Sequence, residues 1–400
     1  MNNETRKETQ VLPKDVRCVG ADDLTLSLFE NQYPVQPMGV SYNSYLILDE
    51  KIAVMDSVDA RAADEWLAKL AHELNGRSPD YLVISHMEPD HSGSILRLAE
   101  KYQEMKLVGN TKTFTMLRQF FGAKAPTDDR LLEVGEGETL PLGAHTLHFM
   151  LAPMVHWPEV MVAYEETEKL LFSADAFGRF GALSRTAGAP WAPQARRYYY
   201  NIVGKYGAQV QALLKKAAAL EIETICPLHG PVLTGEALGE ALRLYDLWSR
   251  WQSESPDDIL LAHASIHGNT ARAAELLKQK LEAKGARVTL CDLTTTEVSY
   301  AVANAFYCGK LVLACSTYDG GLFPPMEEFL SHLQAKGFRD RSVGLMENGS
   351  WAPAAARLMR AKLEEMKDLR VCGTVVSLRS ALSPASEAQI DALTTELCAK

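Results

Sequence analysis

The hydrophobic pattern changes character part-way along the chain. Up to about residue 252, apolar runs of strand length dominate: "SYLILD" (44–49), "IAVMD" (52–56), "YLVIS" (81–85), "KLVGN" (106–110), "HTLHFML" (145–151), "VMVAYE" (160–165) and "KLLFSAD" (169–175). Runs this short, bounded by polar and turn-forming residues, read as strands. Helical stretches at 60–74 and 210–220 interrupt them. The polar stretch "SRWQSESPDD" (249–258) reads as a connector, with Pro256 discouraging continuation of the preceding helix.

Beyond the connector, strands and helices alternate. The strands read "ILLAHA" (259–264), "RVTLCDL" (287–293), "KLVLACS" (310–316), "SVGLME" (342–347) and "VCGTVVS" (371–377). Amphipathic stretches such as "TARAAELLKQKLEAKG" (270–285) and "APAAARLMRAKLEEM" (352–366) separate them. Strands that are apolar throughout, alternating with helices, predict an α/β domain with a parallel sheet covered on both faces. Two domains are expected, 1–252 and 253–400.

Composition narrows the class. At 400 residues the chain suits two domains. A net charge of −10 without a block of like charge argues against a nucleic-acid surface. The opening "MNNETRKETQVLPKD" has no apolar core of the signal-peptide kind, and no run approaches membrane-spanning length. Seven cysteines without CxxC spacing fit reduced thiols, so a cytoplasmic protein is expected.

The candidate chemistry in the first half follows the strands. "SHMEPDHSG" (85–93) places His86, Glu88, Asp90 and His91 just after one apolar run. His156, Asp175 and His229 each follow another, and strand ends gathered at one edge of a sheet bring such residues together. Four imidazoles and two terminal carboxylates offer three donors to each of two metals. Asp175 can bridge them through its two oxygens. Three carboxylates in the set favour iron or manganese more than an all-histidine set does. His72, His145, His148 and His332 are read as ordinary surface or core residues.

"HMEPDH", "HWPE", "SADAFG" and "PLHGP" resemble the motif set of the flavodiiron proteins, a branch of the metallo-β-lactamase fold. Zinc hydrolases of that fold usually carry a histidine where this chain has Glu88. The resemblance implies an αββα sandwich and a diiron centre. In it His86, Glu88 and His156 bind one iron, Asp90, His91 and His229 the other, and Asp175 bridges. "RRYYYNIVGKYG" (196–207) resembles a region close to the family's metals, which makes Tyr198, or its neighbours Tyr199 and Tyr200, a candidate near bound oxygen.

In the second half, "ASIHGNTARAAELL" puts Ser265, Ile266, His267, Gly268, Asn269 and Thr270 between a strand and a helix. Backbone N–H groups and hydroxyls there can hold a phosphate without lysine or arginine. Neither a Walker lysine nor GxGxxG is present, which speaks against nucleotide triphosphates and dinucleotides. Two further loops lie where doubly wound sheets bind ligands: Ser316, Thr317, Tyr318, Asp319, Gly320 and Gly321, then Asn348, Gly349, Ser350 and Trp351. Residues 255–400 resemble a flavodoxin domain, so the implied ligand is FMN, with its ring between the second and third loops. Asp319-Gly320 stands where the family often has Asn-Asn.

The resemblance implies a soluble oxygen and/or nitric oxide reductase that protects an anaerobic or microaerobic cell. Dioxygen needs four electrons to become two waters, and two ferrous ions with a fully reduced FMN hold four. Coupling two nitric oxide molecules needs two. The family also implies a head-to-tail homodimer, or a dimer of such dimers, that sets the FMN of one subunit beside the irons of the other. A rubredoxin-like donor is expected to supply electrons. The competing readings are a zinc hydrolase with an accessory flavodoxin domain and a plain electron-transfer flavoprotein; Glu88 and the complete set of seven donors argue against both.

Overall fold

The computed structural model describes residues 12–399. The first eleven residues of the opening segment lie outside that range. Contacts divide the chain into two units: the part up to Tyr199 with Ala208–Asp246, and Tyr200–Gly207 with Leu247–Lys400.

The first unit is built on two six-stranded sheets. One runs Val16–Cys18, Tyr45–Ile47, Ala53–Met55, Tyr81–Val83, Lys106–Gly109, Leu131–Glu133 across its width. The other runs Thr139–Pro141, Thr146–Leu151, Met161–Glu165, Leu170–Phe172, Thr224–Cys226, Leu233–Thr234. Alternate residues of each sheet meet in one core: Tyr45, Met55, Val83 and Val108 from the first, Leu147, Phe149, Met161 and Phe172 from the second. Residues on the opposite faces, such as Leu46, Val54, Leu82 and Leu171, are equally buried. Helices therefore have to cover both outer faces. Ala63–Leu74 is suited to such a place, since it buries Trp66, Leu70 and Leu74, which recur at helical spacing along one face. This is the αββα sandwich.

The second unit carries a five-stranded parallel sheet in the order Val288–Asp292, Ser255–Ala264, Cys308–Tyr318, Arg341–Asn348, Leu369–Leu378. Numbered along the chain this is 2-1-3-4-5, so the order reverses between the first and third strands, where doubly wound sheets open a binding crevice. One face packs Ile259, Leu261, Val312, Ala314 and Met346 against Leu277, Leu281, Ile390 and Leu393 of the helices Asn269–Ala283 and Pro384–Cys398. Among the described residues no helix is long and apolar enough to cross a membrane.

The connector expected at 249–258 is shorter than its polarity suggests. The first strand already begins at Ser255 and takes in Pro256. Its pairing to Cys308–Tyr318 slips between Ser255 and Ile259, and an irregular stretch is where a strand tolerates a residue without an N–H. Gly309 allows the close approach: a Cβ there would lie 2.1 Å from the Pro256 carbonyl oxygen.

Phe149 is fully buried between the two sheets of the first unit. Phe149→Ala should cost roughly 3–5 kcal/mol, read as a fall in the urea midpoint. A loss below about 1 kcal/mol would contradict that placement.

Candidate metal centre and cofactor cavity

The seven donors of the first unit sit on segments that leave strands at the same end of the sandwich. His86 follows Tyr81–Val83 in the first sheet, whereas His156, Asp175 and His229 follow Thr146–Leu151, Leu170–Phe172 and Thr224–Cys226 in the second. The donors thus come from the edges of two sheets, where the sequence pattern suggested one. The chain is extended through Glu88 and turns into a short helix, Pro89–Ser92, with proline at its first position. That turn separates Glu88 from Asp90 and His91.

The donors fall into two groups, His86, Glu88, His156 and Asp175, and Asp90, His91 and His229. In the first, a Glu88 oxygen lies 3.2 Å from His86 Nε2 and 3.0 Å from His156 Nε2. In the second, an Asp90 oxygen lies 3.2 Å from the Nε2 of both His91 and His229. Asp175 serves both. Its Oδ2 is 3.3 Å from His86 and 3.0 Å from His156, and its Oδ1 is 3.3 Å from His91 and 3.6 Å from His229.

These groups fit metal ions better than they fit one another. His91 and His229 point their Nε2 atoms at each other across 3.0 Å, an arrangement suited to two lone pairs aimed at cations. Both Asp90 oxygens, Asp175 Oδ1 and His156 Nε2 are buried without a hydrogen bond of good geometry, which is costly unless a cation completes them. Burial works against charge on His91 and His156, yet Asp90 and Asp175 raise His91 to about 10, and Asp175 with Glu88 raises His156 to about 9. In return the imidazoles hold Asp175 well below the ordinary carboxylate range despite its burial. The cluster calls for positive charge, which metal ions supply.

A second layer orients the histidines. His86 Nδ1 donates to Glu159 at 2.8 Å, and the Met87 N–H donates to the same oxygen at 2.9 Å. His229 Nδ1 donates to the Ser41 carbonyl at 2.7 Å. These bonds leave Nε2 free for a metal. Asp56 accepts from the Ser85 N–H at 2.7 Å, and burial pushes its carboxyl up to about 6. Glu159 and Asp56 were not among the residues singled out from sequence. Glu159 closes the "HWPE" motif three residues after His156, a signal that was present; Asp56 had none beyond ending a strand-like run.

Tyr198 lies beside the centre, its ring 5.5 Å from that of His229 and its buried hydroxyl without a hydrogen-bond partner. Tyr199 packs its ring on Tyr245, and Tyr200 stacks on Phe306 at 4.0 Å. His145, His148 and His72 pair with Asp49, Glu166 and Glu73, away from the cluster.

In the second unit, the three loops named from sequence line a cavity of about 540 Å³. All the positions named there take part except Gly268 and Gly321, and Ala352 and Ser380 join them. The lining holds no lysine or arginine, and the helix Asn269–Ala283 starts at its edge. Tyr318 and Trp351 are exposed, the latter by 88%, leaving large flat faces without protein cover. Thr270 is buried beneath the loops: its hydroxyl pairs with that of Ser316 at 2.9 Å and accepts from Asn348 at 3.2 Å. Asn348 also donates to the Ser380 carbonyl at 3.0 Å. Asp319 and Gly320 both have positive φ and join Tyr318 to Gly321 in a two-residue hairpin, a turn that favours Asp-Gly.

The model of the ODP family beta lactamase matches residues 40–230. A rubredoxin-oxygen oxidoreductase of Megalodesulfovibrio gigas is 28% identical over 356 residues, 87% of this chain and 87% of that protein. A nitric oxide reductase of Moorella thermoacetica is 27% identical over 87% of this chain and 88% of its own length. The crystal structure of the flavodiiron protein from Giardia intestinalis superposes with a TM-score of 0.88 at 25% identity, covering 97% of this chain and 95% of that one. Fold and donor set together define a metal-binding oxidoreductase that joins a β-lactamase-like sandwich to a flavodoxin-like domain. Over nearly its whole length the chain is similar to flavodiiron proteins.

Asp175 offers one oxygen to each group of donors, so Asp175→Asn should lower bound metal by at least one ion per chain. Metal analysis after dialysis checks this; two ions retained would contradict the shared role.

Proposed function

We propose that this protein reduces dioxygen to water, or nitric oxide to nitrous oxide, at two irons held by His86, Glu88, Asp90, His91, His156, Asp175 and His229. FMN in the cavity of the second unit would feed them, itself reduced by a rubredoxin-like donor. The observation that carries this reading is the carboxylate of Glu88 within a complete seven-donor set, because it gives an anionic, oxygen-rich centre suited to iron. When bound, the irons and the reduced flavin supply the electrons and the open positions at which a gas can bind.

The chain's own residues hold and shield that chemistry. Glu159 and Ser41 fix two imidazoles. Phe29 and Trp157 set their rings edge-on to His229 and His86, at 5.3 and 5.2 Å, and keep bulk water from the donors. The buried hydroxyl of Tyr198 is available as a donor beside His229. In the second unit, backbone N–H groups at Ser265–Thr270 would take the phosphate, and Tyr318 and Trp351 would flank the ring. Arrangement as a head-to-tail homodimer and work in the cytoplasm belong to the same reading.

The test is gas consumption by the iron- and FMN-loaded protein with a reduced rubredoxin. Uptake of oxygen or nitric oxide is the expected result. Stoichiometric zinc with hydrolase activity, or iron and FMN without gas uptake, would overturn the reading. Glu88→His should shift metal preference toward zinc and abolish turnover; retained iron and activity would refute the role given to Glu88. Thr270→Val should weaken FMN roughly five- to tenfold, about 1 kcal/mol for the lost hydrogen bonds, without emptying the metal centre. Flavin titration and metal analysis on the same sample check both halves.

A further inference from the structure

The two groups of metal donors are not equivalent in their surroundings. Each has two imidazoles, one carboxylate of its own and one oxygen of Asp175. Behind the first group, however, stands Glu159. Its side chain is fully buried, as is that of His86. One oxygen accepts from both His86 Nδ1 and the Met87 N–H, while the other, Oε2, has no hydrogen-bond partner.

The second group has no such carboxylate on its imidazoles. His229 Nδ1 meets the neutral Ser41 carbonyl, and His91 Nδ1 is buried without a partner. Asp56 does not supply that partner: its Oδ1 accepts from the Ser85 N–H at 2.7 Å, and His91 Nδ1 keeps no hydrogen bond. A carboxylate on the far nitrogen of a ligating imidazole makes that ligand more basic and fixes its orientation; removing such a partner typically weakens metal binding about 10- to 100-fold. Glu159 can act this way only on the His86 side.

We propose that Glu159 is a positioning residue that makes the two metal positions unequal, so that the His86–Glu88–His156 side holds its ion more tightly than the Asp90–His91–His229 side. The inference rests on the two-iron reading above. It also implies that a chain short of metal fills the Glu88 side first.

Glu159→Gln separates charge from shape. Glutamine keeps an oxygen for His86 and Met87 and places its amide nitrogen where Oε2 has no partner. The measurement is anaerobic release of ferrous iron from the full-length holoenzyme to a chromogenic chelator. The wild type should release two irons in two phases, and Glu159→Gln should speed the slow phase about tenfold or more while leaving the fast phase within about twofold. Asp90→Asn, on the other side, should speed the fast phase alone, which assigns the phases. A single phase in the wild type, equal acceleration of both phases, loss of both irons together or no change in either would overturn the proposal. A wild type that carries zinc and no iron would sink the function proposed above, and the same two-phase release, followed with a zinc-sensitive dye, would still decide the inequality.

Discussion

Three carboxylates and four imidazoles share one buried space at the mouth of the sandwich, and the structure around them follows from that concentration of charge. Asp175 is the pivot. Its two oxygens divide between two pairs of histidines, all within 3.6 Å. So many donors cannot satisfy each other, since several of their polar atoms find no hydrogen bond. Cations are what makes this geometry favourable, and the hydrogen bonds that His86 and His229 donate to Glu159 and the Ser41 carbonyl hold the rings ready for them.

That demand explains why the site needs this fold. No single loop delivers seven converging donors. Two stacked sheets, with strands leaving at a common end, supply four separate attachment points on a rigid core. The second unit meets a different demand with equal economy. A parallel sheet whose order reverses opens a crevice at its carboxyl ends, and the buried Thr270–Ser316–Asn348 bonds tie three loops around it. The cavity of the second unit is not lined with the lysines or arginines that a phosphate-bearing ligand would usually call for. Backbone N–H groups would carry that role in the second unit, as metals would carry the positive charge in the first.

Much of this was legible in the sequence because its signals are local. Strand-length runs such as "YLVIS" and "KLVLACS" mark real strands, Tyr81–Val83 and Cys308–Tyr318, with boundaries moved by a few residues. The donors could be picked out because carboxylates and imidazoles directly after apolar runs are unusual. What escaped depends on partners distant in sequence. That the donors come from two sheets is set by strand pairing, which no motif records. Pro256 was read as discouraging continuation of the preceding helix, and it lies inside a strand whose slipped pairing beside Gly309 accommodates its missing N–H. Glu159 passed as the last letter of a motif, and only its 2.8 Å bond to His86, 73 positions away, gives it a role. Helices such as Pro324–Ala335 and Pro384–Cys398 begin with proline, and the second also has a serine capping box; those start signals were there to be read.

The most direct test of the central claim is anomalous diffraction at the iron and zinc edges from crystals of the protein as purified. The account predicts two iron peaks, one on each side of Asp175, with flavin density in the cavity bounded by Ser265, Tyr318 and Trp351. Peaks at the zinc edge alone, or a single metal between the four histidines, would contradict it.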